Sequence, residues 1–212
     1  MVQKKVSFRN VLILVLISLI IVLWVGVNNP VYLSASIIYL MFVLVALFFY
    51  ASKTIFSKSL IGINSLGFDK NFFIGLGVGL FFVFLSVVNS VFALSLPGAF
   101  LSLGGVTRFL IVGLVAPITE EVFFRGVLFS LFEKFFRING FLTIFLTSVL
   151  FSVFHLLAYG SSVGVLGAFV SAIIFGFVAG LLRKYTGGLK AGIITHIIFN
   201  SFLLFSLSVV IA

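Results

Sequence analysis

The composition of this chain excludes an ordinary soluble domain. Of its 212 residues, 63% are hydrophobic and only 8% are charged, whereas soluble globular domains are about 45–50% apolar and about 25% charged. Because the chain lacks the polar residues to cover an apolar core, we predict a single integral membrane domain over residues 1–212. The absence of cysteine excludes a disulfide framework, thiol catalysis and cysteine-ligated metal.

Seven apolar stretches have roughly the length of about 20 residues that a membrane-spanning helix needs. They are Val11–Val27, Val31–Ala51, Phe72–Leu94, Phe109–Phe132, Phe141–Ala158, Val163–Leu182 and Ala191–Ala212. The first follows basic residues as a signal peptide does, but residues 27–30 offer no small-residue cleavage site, so we predict an uncleaved helix. The expected fold is therefore all-α, a polytopic membrane bundle of about seven transmembrane helices.

Lysine and arginine fall mostly on one side of the membrane if the seven segments cross it in alternating directions. One side receives Lys4, Lys5, Arg9, Lys53, Lys58, Lys70, Lys134, Arg137, Arg183, Lys184 and Lys190, and the other receives only Arg108. Cytoplasmic loops carry such an excess, which predicts a cytoplasmic N-terminus in a multi-pass protein of the cell membrane. The net charge of +9 then reflects topology and attraction to anionic membrane lipid. We expect no nucleic-acid partner, because there is no soluble basic module.

Ionisable residues lie inside several of these apolar segments. Glu120 and Glu121 fall near the middle of the fourth segment with Arg125 one turn further on, and His155 and His196 fall in the fifth and seventh segments. A charged side chain at mid-bilayer costs at least about 2.5–3.5 kcal/mol on insertion scales. This concentration of costly side chains is the main sign of a functional site.

Helical spacing predicts how the acidic residues are paired. Glu121 and Arg125 are four residues apart, so they share a helix face and can form an internal ion pair. Glu120 points roughly 100° away and needs another partner, for which a histidine from a neighbouring helix is suited. Taken alone, the Glu121–Arg125 pair has a purely structural explanation as a buried ion pair.

The histidines add the groups that acyl transfer requires. His196 and Asn200 share one helix face, and Phe151 lies one turn before His155, where it can pack on the imidazole. A glutamate and a histidine can activate water, and an imidazole and an amide can donate hydrogen bonds to a tetrahedral oxyanion. Glu120, His155 and His196 could instead ligate zinc, with water in the fourth position.

Two other classes of function fit the same residues. Buried glutamate, arginine and histidine also form proton relays in transporters, although the inverted repeats of that class are absent from this sequence. A membrane scaffold or immunity protein without catalytic activity is the second alternative.

Three spaced motifs place the sequence near a known family. Glu120, Glu121 and Arg125 form EExxxR, Phe151 and His155 form FxxxH, and His196 and Asn200 form HxxxN. In type and order they resemble the motifs of the CPBP or Abi family, which includes type II CAAX prenyl proteases and bacteriocin-processing enzymes. The resemblance is close over Arg108–Phe205, within a core assigned to residues 104–208. Residues 1–100 resemble the family only as generic membrane helices.

The resemblance implies an intramembrane endopeptidase. Its substrate would be a peptide or protein, with or without a lipid, and CAAX-type processing of C-termini is one form that the activity could take. Glu120 with His155 would activate the attacking water, and His196 with Asn200 would stabilise the oxyanion. Glu121, Arg125 and Phe151 would support them. Family members have been described both as metalloproteases and as glutamate proteases; we expect the glutamate type with no cofactor, and zinc on Glu120, His155 and His196 as the alternative.

The two histidines pose a geometric difficulty. His155 lies far along its segment, whereas His196 lies near the start of its own, so straight upright helices would place them more than a turn apart in depth. A single site therefore requires tilted helices, a late start of the fifth helix, or half-helices around a water-filled cavity.

Overall fold

The computed structural model describes residues 67–88, 104–159 and 165–211. Within these ranges every element is helical and there is no strand, which confirms the all-α prediction. The helices are α1 (Lys70–Val88), α2 (105–135), α3 (Gly140–Tyr159), α4 (Val165–Thr186) and α5 (Lys190–Ile211). They correspond to the third to seventh predicted segments, whereas Val11–Val27 and Val31–Ala51 lie outside the described residues.

The helix that carries the two glutamates, α2, is a composite. It is α-helical at Gly105–Arg108 and Ala116–Glu121 and has π-helical hydrogen bonding at Phe109–Val115, Val122–Leu128 and Leu131–Phe135. Pro117 opens the central α-helical part; it has no N–H to donate and its ring crowds the preceding turn. The first π-helical stretch ends at Val115, just before this proline, and the glutamates lie on a short α-helical step between two π-helical stretches.

Local side chains and one glycine define the helix ends. Asp69 Oδ1 accepts the Phe72 N–H at 3.0 Å and Asn139 Oδ1 accepts the Phe141 N–H at 2.8 Å, so carboxylate and amide cap the first turns of α1 and α3. Gly187 follows α4 with φ +70°, the left-handed conformation that a glycine adopts after a helix.

Contacts along the helices give their relative directions. In α3 and α4, Gly140 faces Lys184 and Ser152 Oγ donates to the Phe169 carbonyl at 2.6 Å, so these helices are antiparallel. In α1 and α5, Gly75 faces Ala191 and Gly79 faces Ile198, so this pair is parallel. Both directions are those that strict alternation of the predicted segments requires.

The alternation gathers basic residues at one end of the described helices. The starts of α1, α3 and α5 and the ends of α2 and α4 lie there, with Lys70, Arg137, Lys184 and Lys190, while Arg108 lies at the opposite end. This agrees with the sorting of charge inferred from the sequence. The count of seven spans, the cytoplasmic N-terminus and the division at residue 104 stay predictions.

The start of α5 lies well inside the bundle. Leu189, just before α5, is 1% exposed and packs against Val122 of α2, and it borders the position that a side chain at Gly126 would occupy. From Gly126, α2 continues for more than two further turns to residue 135. Because α5 starts this deep in the bundle, its first turns lie level with the middle of α2.

Phenylalanine rings fill the space between the helices, and apolar side chains also cover the outside. The central cluster joins all five helices and consists of Phe82, Phe124, Phe151, Ala172, Phe175, Ala179, Phe199 and Leu203. Large hydrophobic side chains are exposed on the outer faces of all five helices, as expected for a surface in contact with lipid. By length and composition, Lys70–Val88 and Phe169–Thr186 could each cross a membrane, and Gly140–Leu156 and Lys190–Ser206 form shorter apolar helices.

Candidate active site

Glu120 of α2 lies between the two histidines. Its Oε2 is 3.6 Å from His155 Nε2 of α3 and 3.7 Å from His196 Nε2 of α5, and the three side chains are 8%, 12% and 3% exposed. Because α5 starts beside the middle of α2, His196 lies level with His155, and the expected difference in depth between the histidines is absent. The structure therefore brings together three residues that are separated by as many as 76 positions in the sequence.

The ring of His155 is oriented by its own helix. Its Nδ1 lies 2.9 Å from the Phe151 carbonyl oxygen, which can only accept a hydrogen bond. The Nδ1 nitrogen must therefore carry the proton, and the neutral ring presents the lone pair of Nε2 toward Glu120.

The ring of His196 is oriented by the second glutamate. Its Nδ1 lies 3.3 Å from Glu121 Oε1, and the same oxygen accepts a hydrogen bond from Arg125 Nη1 at 3.0 Å. Both Glu121 and Arg125 are fully buried, so the carboxylate is held ionised as one half of an ion pair and accepts the Nδ1 proton. His196 thus also directs Nε2 toward Glu120.

Three atoms that can accept a proton consequently converge, namely Glu120 Oε2 and the two Nε2 atoms. Glu120 Oε2 is buried and accepts no hydrogen bond from a protein group in the described part of the chain. Such a convergence is suited to sharing a proton or to binding and polarising a water molecule. Among residues 67–88, 104–159 and 165–211, no three His, Cys, Asp or Glu side chains are arranged to hold a metal ion.

Asn200 lies one turn beyond His196 and connects α5 to α2. Its Nδ2 donates to the Val112 carbonyl at 3.0 Å, within the first π-helical stretch of α2. A side-chain amide has two N–H groups, so this bond commits one of them and leaves the second for another acceptor. The bond also fixes the amide on the face of α5 that carries His196.

Aromatic rings form a wall behind the charged groups. Phe151 lies 4.2 Å from the His155 ring and 5.9 Å from the His196 ring, measured between ring centroids. The Arg125 guanidinium stacks over Phe151 at 4.4 Å, and Phe175 lies 4.5 Å from the His196 ring. These contacts restrict both imidazoles and surround the buried arginine with a polarisable face.

Two glycines make room for the Glu121–Arg125 pair. A Cβ at Gly192 would lie 2.8 Å from Glu121 Oε2, and a Cβ at Gly176 would lie 3.2 Å from Arg125 Nη2. The Gly176 carbonyl also accepts a hydrogen bond from that nitrogen at 3.0 Å. The sequence analysis missed both glycines and the bond between Glu121 and His196. Gly192 precedes His196 by one helical turn, a spacing that could have indicated its place on the same face.

Comparisons with known proteins agree with the three motifs. A family model described as type II CAAX prenyl endopeptidase Rce1-like matches residues 102–202. This range contains EExxxR, FxxxH and HxxxN, and the match confirms the resemblance that they indicated. No curated protein and no solved structure matched the chain.

Proposed function

Because the Rce1-like model of type II CAAX prenyl endopeptidases matches residues 102–202, we propose that this chain is an intramembrane endopeptidase that uses Glu120 to activate water. The observation that carries the proposal is the convergence of His155 and His196 on the Glu120 carboxylate. A type II CAAX family points to a lipidated C-terminal peptide as the substrate. The family match gives no support to the transporter or scaffold alternatives.

The starting state of the site is proposed from charge balance. Glu120 and Glu121 contribute two negative charges and Arg125 one positive charge, so one further proton makes the buried site neutral, and we place it on His196. A proton on His196 Nε2 is stabilised by Glu121 on one side of the ring and by Glu120 on the other. Neutrality removes most of the cost of burying these groups in a low-dielectric environment.

The hydrolytic step then follows from the positions of these groups. A water molecule between Glu120 Oε2 and His155 Nε2 loses a proton to the carboxylate as its oxygen attacks the scissile carbonyl carbon. The carbonyl oxygen becomes an oxyanion, to which His196 Nε2–H and the second N–H of Asn200 Nδ2 donate. The tetrahedral intermediate collapses with cleavage of the C–N bond, and the proton taken by Glu120 passes to the departing amine.

The supporting residues act by orientation. Glu121 accepts the His196 Nδ1 proton, and Arg125 holds Glu121 while stacking on Phe151. This arrangement keeps the His196 ring oriented with Nε2 directed into the site, the role that an orienting carboxylate has in other hydrolases.

The proposal is tested by peptide cleavage with the purified protein in detergent or liposomes. A farnesylated CAAX peptide and its unmodified counterpart are compared for wild type and Glu120→Gln, each with and without a zinc chelator. We expect cleavage of the farnesylated peptide that withstands chelation and falls by about 10²–10⁴-fold in the variant, the usual contribution of a general base.

Three other outcomes would each contradict one part of the proposal. Equal cleavage by wild type and a folded Glu120→Gln protein would refute the role of Glu120. Loss of cleavage on chelation, restored by added zinc, would make Glu120 and the histidines metal ligands. Equal cleavage of both peptides would remove the lipid from the substrate requirement.

A further inference from the structure

The turn between α4 and α5 determines whether His196 can reach the site. This turn, residues 187–189, ends with the buried Leu189 and is followed by α5. His196 lies in the second turn of α5, so a displacement of the α4–α5 turn along the bundle axis moves His196 by the same amount relative to Glu120. Whatever holds this turn inside the bundle therefore sets the depth of His196.

On the side of α2, the α4–α5 turn is held by Arg183. Its Nε donates to the Arg125 carbonyl at 3.2 Å, and its Nη1 donates to the Gly187 carbonyl at 2.6 Å. The backbone carbonyl of Arg183 also accepts the Gly187 N–H at 3.1 Å. One guanidinium thus connects the turn to the backbone of Arg125, the residue whose side chain holds Glu121.

On the side of α1, the same region is held by Lys190, the first residue of α5. Its Nζ lies 2.8 Å from Asp69 Oδ2 and donates to the Gly67 carbonyl at 2.6 Å. The other oxygen of Asp69 caps α1 through the Phe72 N–H. The cation is 10% exposed and lies at the positive end of the α5 dipole, so the Asp69 carboxylate between two helix N-termini compensates for an otherwise unfavourable position.

From these contacts we infer that Arg183 and Lys190 are positioning residues for His196, in addition to their contribution to the charge asymmetry of the chain. The two cations fix the α4–α5 turn from opposite sides, one through the backbone of α2 and the other through the cap of α1. A role limited to topology needs only positive charge at that end of the helices. A positioning role needs the fork of the guanidinium and the reach of the ammonium group. The effect on catalysis rests on the proposed function, whereas the position of the turn does not.

The position of the turn is measured first, without a substrate. The chain has no cysteine, so the pair Val122→Cys and Leu189→Cys, which replaces two side chains in contact, reports the register of α2 and the turn through its disulfide yield. The cysteine pair is introduced into the parent protein and into the Arg183→Gln and Lys184→Gln variants. Lys184→Gln is the control, because it removes the same charge from an exposed neighbour. We expect a severalfold lower yield in Arg183→Gln alone.

Catalysis is measured on the same three backgrounds without the cysteines. A displacement of about 1 Å in a catalytic group can cost on the order of 10²-fold in rate, so we expect kcat to fall tenfold to a hundredfold in Arg183→Gln and to stay unchanged in Lys184→Gln. Arg183→Lys keeps the charge but cannot bridge both carbonyls, and it should resemble Arg183→Gln. This variant also takes the place of Arg183→Gln if that protein is not recovered folded.

A second series tests Lys190 against Lys70, an exposed cation at the same end. Lys190→Met and Asp69→Asn should each lower the disulfide yield, and the double variant should be no worse than either, because both changes break one pair. Lys70→Met should match the parent.

Each outcome decides between the two roles. Yields and rates in Arg183→Gln and Lys190→Met equal to those of their controls would overturn the inference, as would a lower rate with an unchanged yield. A lower yield in a protein whose parent cleaves no peptide would refute the proposed function and leave the positioning role intact.

Discussion

Two adjacent glutamates on α2 have opposite surroundings. Glu121 is fully buried and paired with Arg125 and His196, whereas Oε2 of Glu120 lies 3.6 and 3.7 Å from two histidine nitrogens and accepts no hydrogen bond within the described residues. The first carboxylate is therefore part of the framework of the candidate site, and the second is the one that we propose reacts.

This difference predicts opposite effects of the same substitution on stability. Glu121→Gln leaves the buried Arg125 charge without its partner, and loss of one member of a buried pair costs about 3–5 kcal/mol. Glu120→Gln removes a carboxylate whose Oε2 accepts no hydrogen bond in the described residues, and the histidines can release the proton that balances its charge, so the free energy of unfolding should stay nearly unchanged or rise. Unfolding in mixed micelles, followed by circular dichroism, measures both; a loss in Glu120→Gln as large as that in Glu121→Gln would contradict the assignment.

At the scale of the helices, small residues allow α1 and α5 to approach closely. A Cβ at Gly75 would lie 2.6 Å from the Ala191 carbonyl oxygen and 3.0 Å from its Cα, and the Gly75 carbonyl accepts the Thr195 hydroxyl at 3.0 Å. Close backbone approach of this kind is how membrane helices associate when they have no hydrophobic effect between them. The contact lies beside the first turns of α5, so it also bears on the position of His196.

We therefore expect Gly75→Ala to separate α1 from α5. The methyl group meets backbone atoms that cannot move independently, and such overpacking costs about 1–3 kcal/mol. Gly77→Ala is the matched control, because a Cβ there has no neighbour within 4 Å. The free energy of unfolding and the rate of peptide cleavage should both fall in Gly75→Ala, and neither should change in Gly77→Ala. Equal behaviour of the two variants would show that the approach of α1 and α5 is not limited by Gly75.

For the whole molecule, the alternating helices place two exposed side chains at opposite ends. Tyr185 is 81% exposed next to the basic end of α4, and Val106 is 76% exposed at the start of α2. Tyr185→Cys and Val106→Cys each introduce a single thiol into a chain that has none.

The predicted orientation requires these thiols to face different compartments. An impermeant maleimide should label Val106→Cys in intact cells and Tyr185→Cys only in inverted membrane vesicles, because the basic end is expected in the cytoplasm. Labelling of both thiols from the same side would contradict the alternation of the helices. The reverse pattern would keep the alternation and invert the orientation.

Composition and spacing alone determined the helical class, the approximate bounds of the five described helices and the identity of the polar residues at the site. The reason is that a lipid environment leaves few structures for an apolar segment, and helical periodicity is local. The pairing of Glu121 with Arg125 followed from the same local rule, because both residues lie on one helix.

Only the tertiary structure decided which groups from different helices meet. The packing of α5 between α1 and α2 decides the depth at which α5 starts. It also decides the contact of His196 with both glutamates and the bond from Asn200 to the Val112 carbonyl. These relations join residues 75 to 88 positions apart, and no local pattern specifies the depth at which a helix begins. That depth arises from packing at Leu189 and from the bonds of Arg183 and Lys190.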